Sequence, residues 1–148
     1  MNKGSKFTLA AVLLILSSSF AIAEPFFSVL PPLQQSEAYI QFTRRPVSEL
    51  SKLFCLISRF KACDVDIDYG GGRYRTRYVA PMVAMFLTTH YKKGQSAKEW
   101  ILSYCHRTIP SGKLIWAILP DGSKHLASDL LLQELDALEN NPPASLRD

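Results

Sequence analysis

Three arginines, Arg73, Arg75 and Arg77, alternate with Tyr74, Thr76 and Tyr78, just after three alternating aspartates, Asp64, Asp66 and Asp68. Guanidinium groups two residues apart line one face of a strand, and such a row can grip phosphates, lipid headgroups or an acidic polymer. Folding the two arms about Gly70 and Gly71 sets Asp68 opposite Arg73, Asp66 opposite Arg75 and Asp64 opposite Arg77. Exposed pairs of this kind contribute only ~0.2–1 kcal/mol each, yet they neutralise the stripe. The same register places Ile67 opposite Tyr74 and Val65 opposite Thr76 on the other face, and a slip of one residue would lose both rows together. The charge ladder is therefore the first reading of this stretch. An anion site at Arg73, Arg75 and Arg77 is the second.

The remaining chemistry-bearing residues form no constellation. Cys105 and His106 are adjacent on a predicted helix, where neighbours point about 100° apart and cannot act as nucleophile and base. No C-x-x-C occurs, and His90, His106 and His125 have no spacing that puts two on one face, so no metal site is expected. No cofactor motif is present, and no nucleophile, base and orienting group come together, so no catalytic residue is assigned. Three cysteines, Cys55, Cys63 and Cys105, leave open one disulfide plus a thiol, three thiols, or a bridge between chains. A helix between Cys55 and Cys63 would hold them beyond bridging distance, which makes Cys63 with Cys105 the candidate pair.

The elements that must carry these residues follow from punctuation and periodicity. Lys3 and Lys6, an apolar run from Phe7 to Leu16, and Ala21-Ile22-Ala23 before Glu24 have the form of a secretory signal peptide cleaved near Ala23. The run is shorter than the ~20 apolar residues of a membrane span, and no other segment could span. Cleavage removes Lys3 and Lys6 and so lowers the formal net charge from +4 to +2, too weak a surplus to argue for nucleic acid. Residues 24–35, with Pro25, Pro31 and Pro32, read as an extended leader, and 140–148 as a frayed tail. Between them, 36–139 is expected to be a single domain with no internal repeat.

Within it, a short helix is predicted over Ser36–Arg45. A firmer one covers Val47–Lys61, with Leu50, Leu53, Phe54, Ile57 and Phe60 at three- and four-residue intervals. The hairpin follows over about 64–78. A third helix is predicted over Met82–Tyr91, with Pro81 in its first turn, and its apolar residues, Met82 and Met85 included, are assigned to the core. Ser96-Ala97-Lys98-Glu99 is a capping box opening a fourth helix. Leu114–Leu119 reads as a strand covered on both faces, Lys124–Leu126 as a short return, and Ser128 as the cap of a last helix over Asp129–Leu138. The fold class is α+β: a small antiparallel sheet, hairpin about 64–78 plus strand about 114–119, with four or five helices mainly on one face.

The stretch Ser96-Ala97-Lys98-Glu99-Trp100-Ile101, with Ser111-Gly112-Lys113 and Asp121-Gly122, resembles a family of small exported Gram-negative bacterial proteins classed as a domain of unknown function. Its members read T-A-E-x-F-I, then [ST]-G-K-P-Y and often D-G. Tyr78, Ala80, Ala84, Leu87 and Tyr91 are similar to an upstream helix of that family, and Cys63 to a cysteine before its first strand. The chain departs from the pattern at Met82, Phe86 and His90, in its longer glycine turn, and at Leu114 and Ile115. The resemblance implies a periplasmic or secreted α+β domain and no activity. The expected role is thus non-enzymatic, through contacts with an envelope or secreted protein. The hairpin edge and Phe26, Phe27, Val29 and Leu30 of the leader are candidate contact surfaces.

Overall fold

The computed structural model describes residues 31–143. The predicted signal peptide, most of the leader and the end of the tail lie outside the described residues. Five α-helices and a four-stranded antiparallel sheet make an α+β fold. In chain order these are α1 (Glu37–Thr43), α2 (Glu49–Lys61), β1 (Asp66–Tyr69), β2 (Gly72–Arg75), α3 (Thr76–His90), α4 (Ala97–Tyr104), β3 (Trp116–Ile118), β4 (Lys124–Leu126) and α5 (Ala127–Glu139). The strand order is β2-β1-β3-β4.

The hairpin pairs in the expected register, with Asp66 opposite Arg75, Ile67 opposite Tyr74 and Asp68 opposite Arg73. Gly70 and Gly71 carry φ of 67° and 98°, the left-handed pair that a two-residue turn needs, and Asp68 Oδ1 accepts the Gly71 N–H at 3.1 Å. The arm is shorter than predicted. Pairing stops at Thr76, whose N–H donates to the Val65 carbonyl at 3.1 Å and whose hydroxyl donates to that of Cys63 at 2.7 Å. From there the chain turns helical, so Arg77 lies in the first turn of α3, not opposite Asp64, and Pro81 lies inside the helix.

The two capping boxes explain where the preceding helices start. Ser48 and Ser51 exchange backbone and side-chain bonds at the start of α2, and Ser96 and Glu99 do so at the start of α4. Two strand-to-helix junctions have no such cap. At Arg75–Thr76 and Leu126–Ala127 a strand runs straight into a helix, and Ser128, expected to cap α5, is buried in its first turn.

Those two junctions expose a repeat that the sequence hides. The chain runs α2-β1-β2-α3 and then α4-β3-β4-α5. Ala127 donates to the Ile115 carbonyl at 3.0 Å just as Thr76 donates to that of Val65. The hairpins meet through β1 and β3, with Asp66 opposite Ile118, Ile67 opposite Ala117 and Asp68 opposite Trp116. This pairing maps onto itself when the halves are exchanged, so a pseudo-two-fold axis passes by Ile67 and Ala117. The burial pattern follows it: Thr76 and Ala127 are buried, and so are Leu87 and Leu138. The expectation of no internal repeat is corrected at the level of topology.

The core forms in two main clusters. Phe60, Cys63, Val65, Ile67, Ile115, Ala117, Ala127 and Leu130 pack under the sheet. Leu53, Leu56, Ile57, Ala80, Leu87, Trp100, Ile101 and Leu135 pack among the helices. Burial of apolar side chains such as these, at about 1.5–3 kcal/mol each, is the main stabilising term. Across the helix layer a buried ion pair joins α2 to α5, Arg59 Nε to Glu134 Oε2 at 2.6 Å. The described parts of the leader and tail are more ordered than expected. Leu33–Gln35 forms a 3-10 turn, and Asn141 is held by Tyr39, whose hydroxyl donates to the Asn141 carbonyl at 3.0 Å, and by Gln34 at 3.1 Å.

Candidate functional site

β2 and the first half of α3 bring the arginines together with a set of exposed apolar side chains. In the twisted hairpin each arginine reaches the diagonal aspartate one step down the ladder instead of the one directly opposite. Arg75 Nη1 meets Asp64 Oδ1 at 3.1 Å, and Arg73 Nε lies 3.7 Å from Asp66 Oδ2. Asp68 serves the turn. The slide leaves Arg77 with no carboxylate partner among the described residues, and its guanidinium lies 4.8 Å from the Tyr78 ring centroid. Two arginines are therefore neutralised and the third is stacked.

α3 also carries an exposed stripe whose two methionines were expected in the core. Tyr78, Met82 and Met85 recur at helical spacing on α3 and are 63 %, 66 % and 68 % exposed. The expectation that both methionines fill the core is overturned: α3 buries Thr76, Ala80 and Leu87 against α2 and the sheet and turns the methionines outward. Tyr74 on β2 is exposed too, its ring lying over Gly72, where a β-carbon would come within 2.6 Å of the tyrosine hydroxyl. Met is polarizable and adaptable, and Tyr and Arg are the residues most often found anchoring interfaces.

The repeat supplies an internal control. Counting from Thr76 and Ala127, the counterparts of Tyr78, Met82 and Met85 on α5 are Asp129, Gln133 and Asp136, all exposed. The fold thus accepts fully polar side chains at these places, and nothing in helix packing requires apolar ones on α3. The signal was present in the sequence as the 78, 82, 85 spacing. It was masked because Val79, Ala80, Val83, Ala84 and Leu87 make the helix apolar on its other sides too.

The other predicted site residues stay apart from this face. Cys55, Cys63 and Cys105 are free and buried, so of the alternatives the structure has three thiols and the candidate Cys63–Cys105 bridge is not formed. Cys63 packs in the cluster under the sheet and Cys105 in the cluster among the helices. Burial pushes the Cys105 thiol up to about 12, Cys63 to about 12 and Cys55 to about 11, which removes the thiolate needed for nucleophilic or metal chemistry. His106 turns to Ser128, Nδ1 to Oγ at 3.0 Å, but Ser128 is wholly buried and out of a substrate's reach. Among the described residues no group of three His, Cys, Asp or Glu could hold a metal, and no helix is long and apolar enough to cross a membrane.

No known family, curated protein or solved structure matches the chain. On α3 the exposed Tyr78, Met82 and Met85 depart from what helix packing requires.

Proposed function

We propose that this protein is a non-enzymatic interaction domain, exported after cleavage near Ala23, whose β2–α3 face docks on a protein of the envelope or the exterior. The observation that carries the reading is the exposed row Tyr78, Met82 and Met85 set against its polar counterparts Asp129, Gln133 and Asp136. Arg77, stacked on Tyr78, borders the row with a positive charge, which suits a protein partner with an acidic edge. The test places a photo-crosslinking residue at position 82 or at position 133 in cells exporting the chain. Adducts from 82 and none from 133 support the face. Equal adducts from both, or none from either, refute it.

A second reading has its own support. Arg77 has no carboxylate beside it among the described residues, so Arg73, Arg75 and Arg77 could together bind an anionic polymer or headgroup. Binding to a heparin-like polymer or anionic vesicles would then fall steeply with salt and disappear in Arg77→Ala.

A further inference from the structure

Where the two core clusters meet, packing is incomplete. A cavity of ≈ 110 Å³ lies between α2, α3, α4 and the sheet, lined by Leu53, Ile57 and Ile101 of one cluster and by Ile67 and Ile115 of the other. A void in a core lowers stability in rough proportion to its volume, and interiors seldom leave more than a water-sized one. A space of this size has to be accounted for. Tyr69 and Tyr104, neither of them buried, also line it, so the space adjoins the surface.

The repeat locates the shortfall. Counting from Thr76 and Ala127, Ala80 on α3 corresponds to Leu131 on α5, and both stand in the wall. One half of the fold thus carries a leucine where the other carries only a methyl group. The wall is almost wholly apolar. Thr76 spends its hydroxyl on the Cys63 carbonyl at 2.7 Å, and the indole nitrogen of Trp100 is fully covered. Water is poorly suited to such a place, because it needs two to four polar partners. A molecule without polar groups gains burial there and gives up no hydrogen bond on entering.

We infer that this cavity is a binding site for a small apolar molecule, about the size of one six-membered ring, held by contact and desolvation with no hydrogen bond to the chain. An apolar cavity of comparable volume stays dry and takes up benzene, which sets the scale of the ligand. The inference goes beyond the interaction reading and does not depend on it.

The experiment titrates the full chain, labelled at its methyl groups, with benzene and with phenol. Benzene is expected to raise the unfolding temperature and to shift the methyl resonances of Leu53, Ile57, Val83 and Ile101 saturably. Those of Ile40 and Ile109, exposed and outside the wall, should stay where they are. Phenol, the same ring with a hydroxyl, should bind roughly ten-fold more weakly or worse, because its hydroxyl would be buried without a partner. Ala80→Leu gives α3 the side chain that α5 already has, and by filling the space it should weaken benzene binding by roughly ten-fold or more. The absence of a saturable shift at the lining methyls overturns the site, as do shifts of equal size at Ile40 and Ile109. So does phenol binding as tightly as benzene, or a folded Ala80→Leu chain that binds benzene like the wild type. If Ala80→Leu does not fold, the methyl shifts and the comparison with phenol still decide.

Discussion

Replacing Glu134 by glutamine should be the most damaging conservative change in the helix layer. The Arg59 and Glu134 side chains are 3 % and 8 % exposed, and their contact is 2.6 Å. Glutamine keeps the shape but removes the charge, leaving a buried guanidinium whose other acceptor is the Pro31 carbonyl at 3.4 Å. Stranding one partner of a buried pair costs about 3–5 kcal/mol, and arginine cannot escape by losing its proton. For a body of this size that corresponds to a fall in unfolding temperature of about 10–20 °C. The reverse change, Arg59→Met, should cost less, because the stranded carboxyl can take up a proton. Arg59→Met with Glu134→Leu should recover most of the loss, since a well-packed apolar pair often matches an ion pair in stability. Urea unfolding of the wild type, Arg59→Met, Glu134→Leu and the double variant gives the coupling energy directly. A Glu134→Gln cost below about 1 kcal/mol, or a double variant as unstable as the two single losses combined, would refute the reasoning.

Other expectations concern the thiols, one cap and the exposed stripe. Native Cys105 should react with a thiol reagent at pH 8 about a thousand-fold more slowly than a free cysteine, and labelling should recover in denaturant. Because the folded thiol titrates near 12 and the unfolded one near 9, the folded state binds more protons in that window. Stability should therefore fall there by up to about 1.4 kcal/mol per pH unit, and Cys105→Ala should remove this component of an alkaline unfolding series. Glu49 accepts the Ala97 N–H at 2.8 Å, and that bond, followed by the one from Lys52, holds its carboxyl below the usual range. The stabilisation is complete above the unfolded value near 4.5 and is lost as pH falls through the folded one. Glu49→Gln should thus cost about 1 kcal/mol at pH 7 and flatten the acid limb of the stability curve. Met82→Gln and Met85→Gln should each change stability by less than about 0.5 kcal/mol, whereas Leu87→Ala should cost about 2–5 kcal/mol in the same thermal assay.

How much of this could be read from the chain depends on how local the cause was. Gly70-Gly71, the alternating aspartates and arginines, and the Ser96 box that opens α4 act within a few residues, and their consequences were legible. The Ser48 cap of α2 was not read, and that helix was expected to start at Val47. The start of α3 was not. Thr76, Tyr78 and Val79 are good strand formers, and only the bonds from Thr76 to Val65 and Cys63 show that pairing ends there. The repeat was hidden because its halves share burial and hydrogen bonding but few identities, as Thr76 with Ala127 and Met82 with Gln133 show. The space beside Trp100 arises from side chains of five elements, and no window of sequence reports a shortfall of volume among them.

The junctions at Arg75–Thr76 and Leu126–Ala127 also limit how anything can attach to the sheet. Both outer strands are cut off by a helix after four and three residues, so neither rim offers a template long enough for a foreign strand to zip onto. Stacking of copies into cross-β polymer is discouraged by the same truncation. Whatever attaches near β2 must recognise ring faces, thioethers and guanidinium groups, so specificity is written in side chains that can change without disturbing the scaffold beneath them.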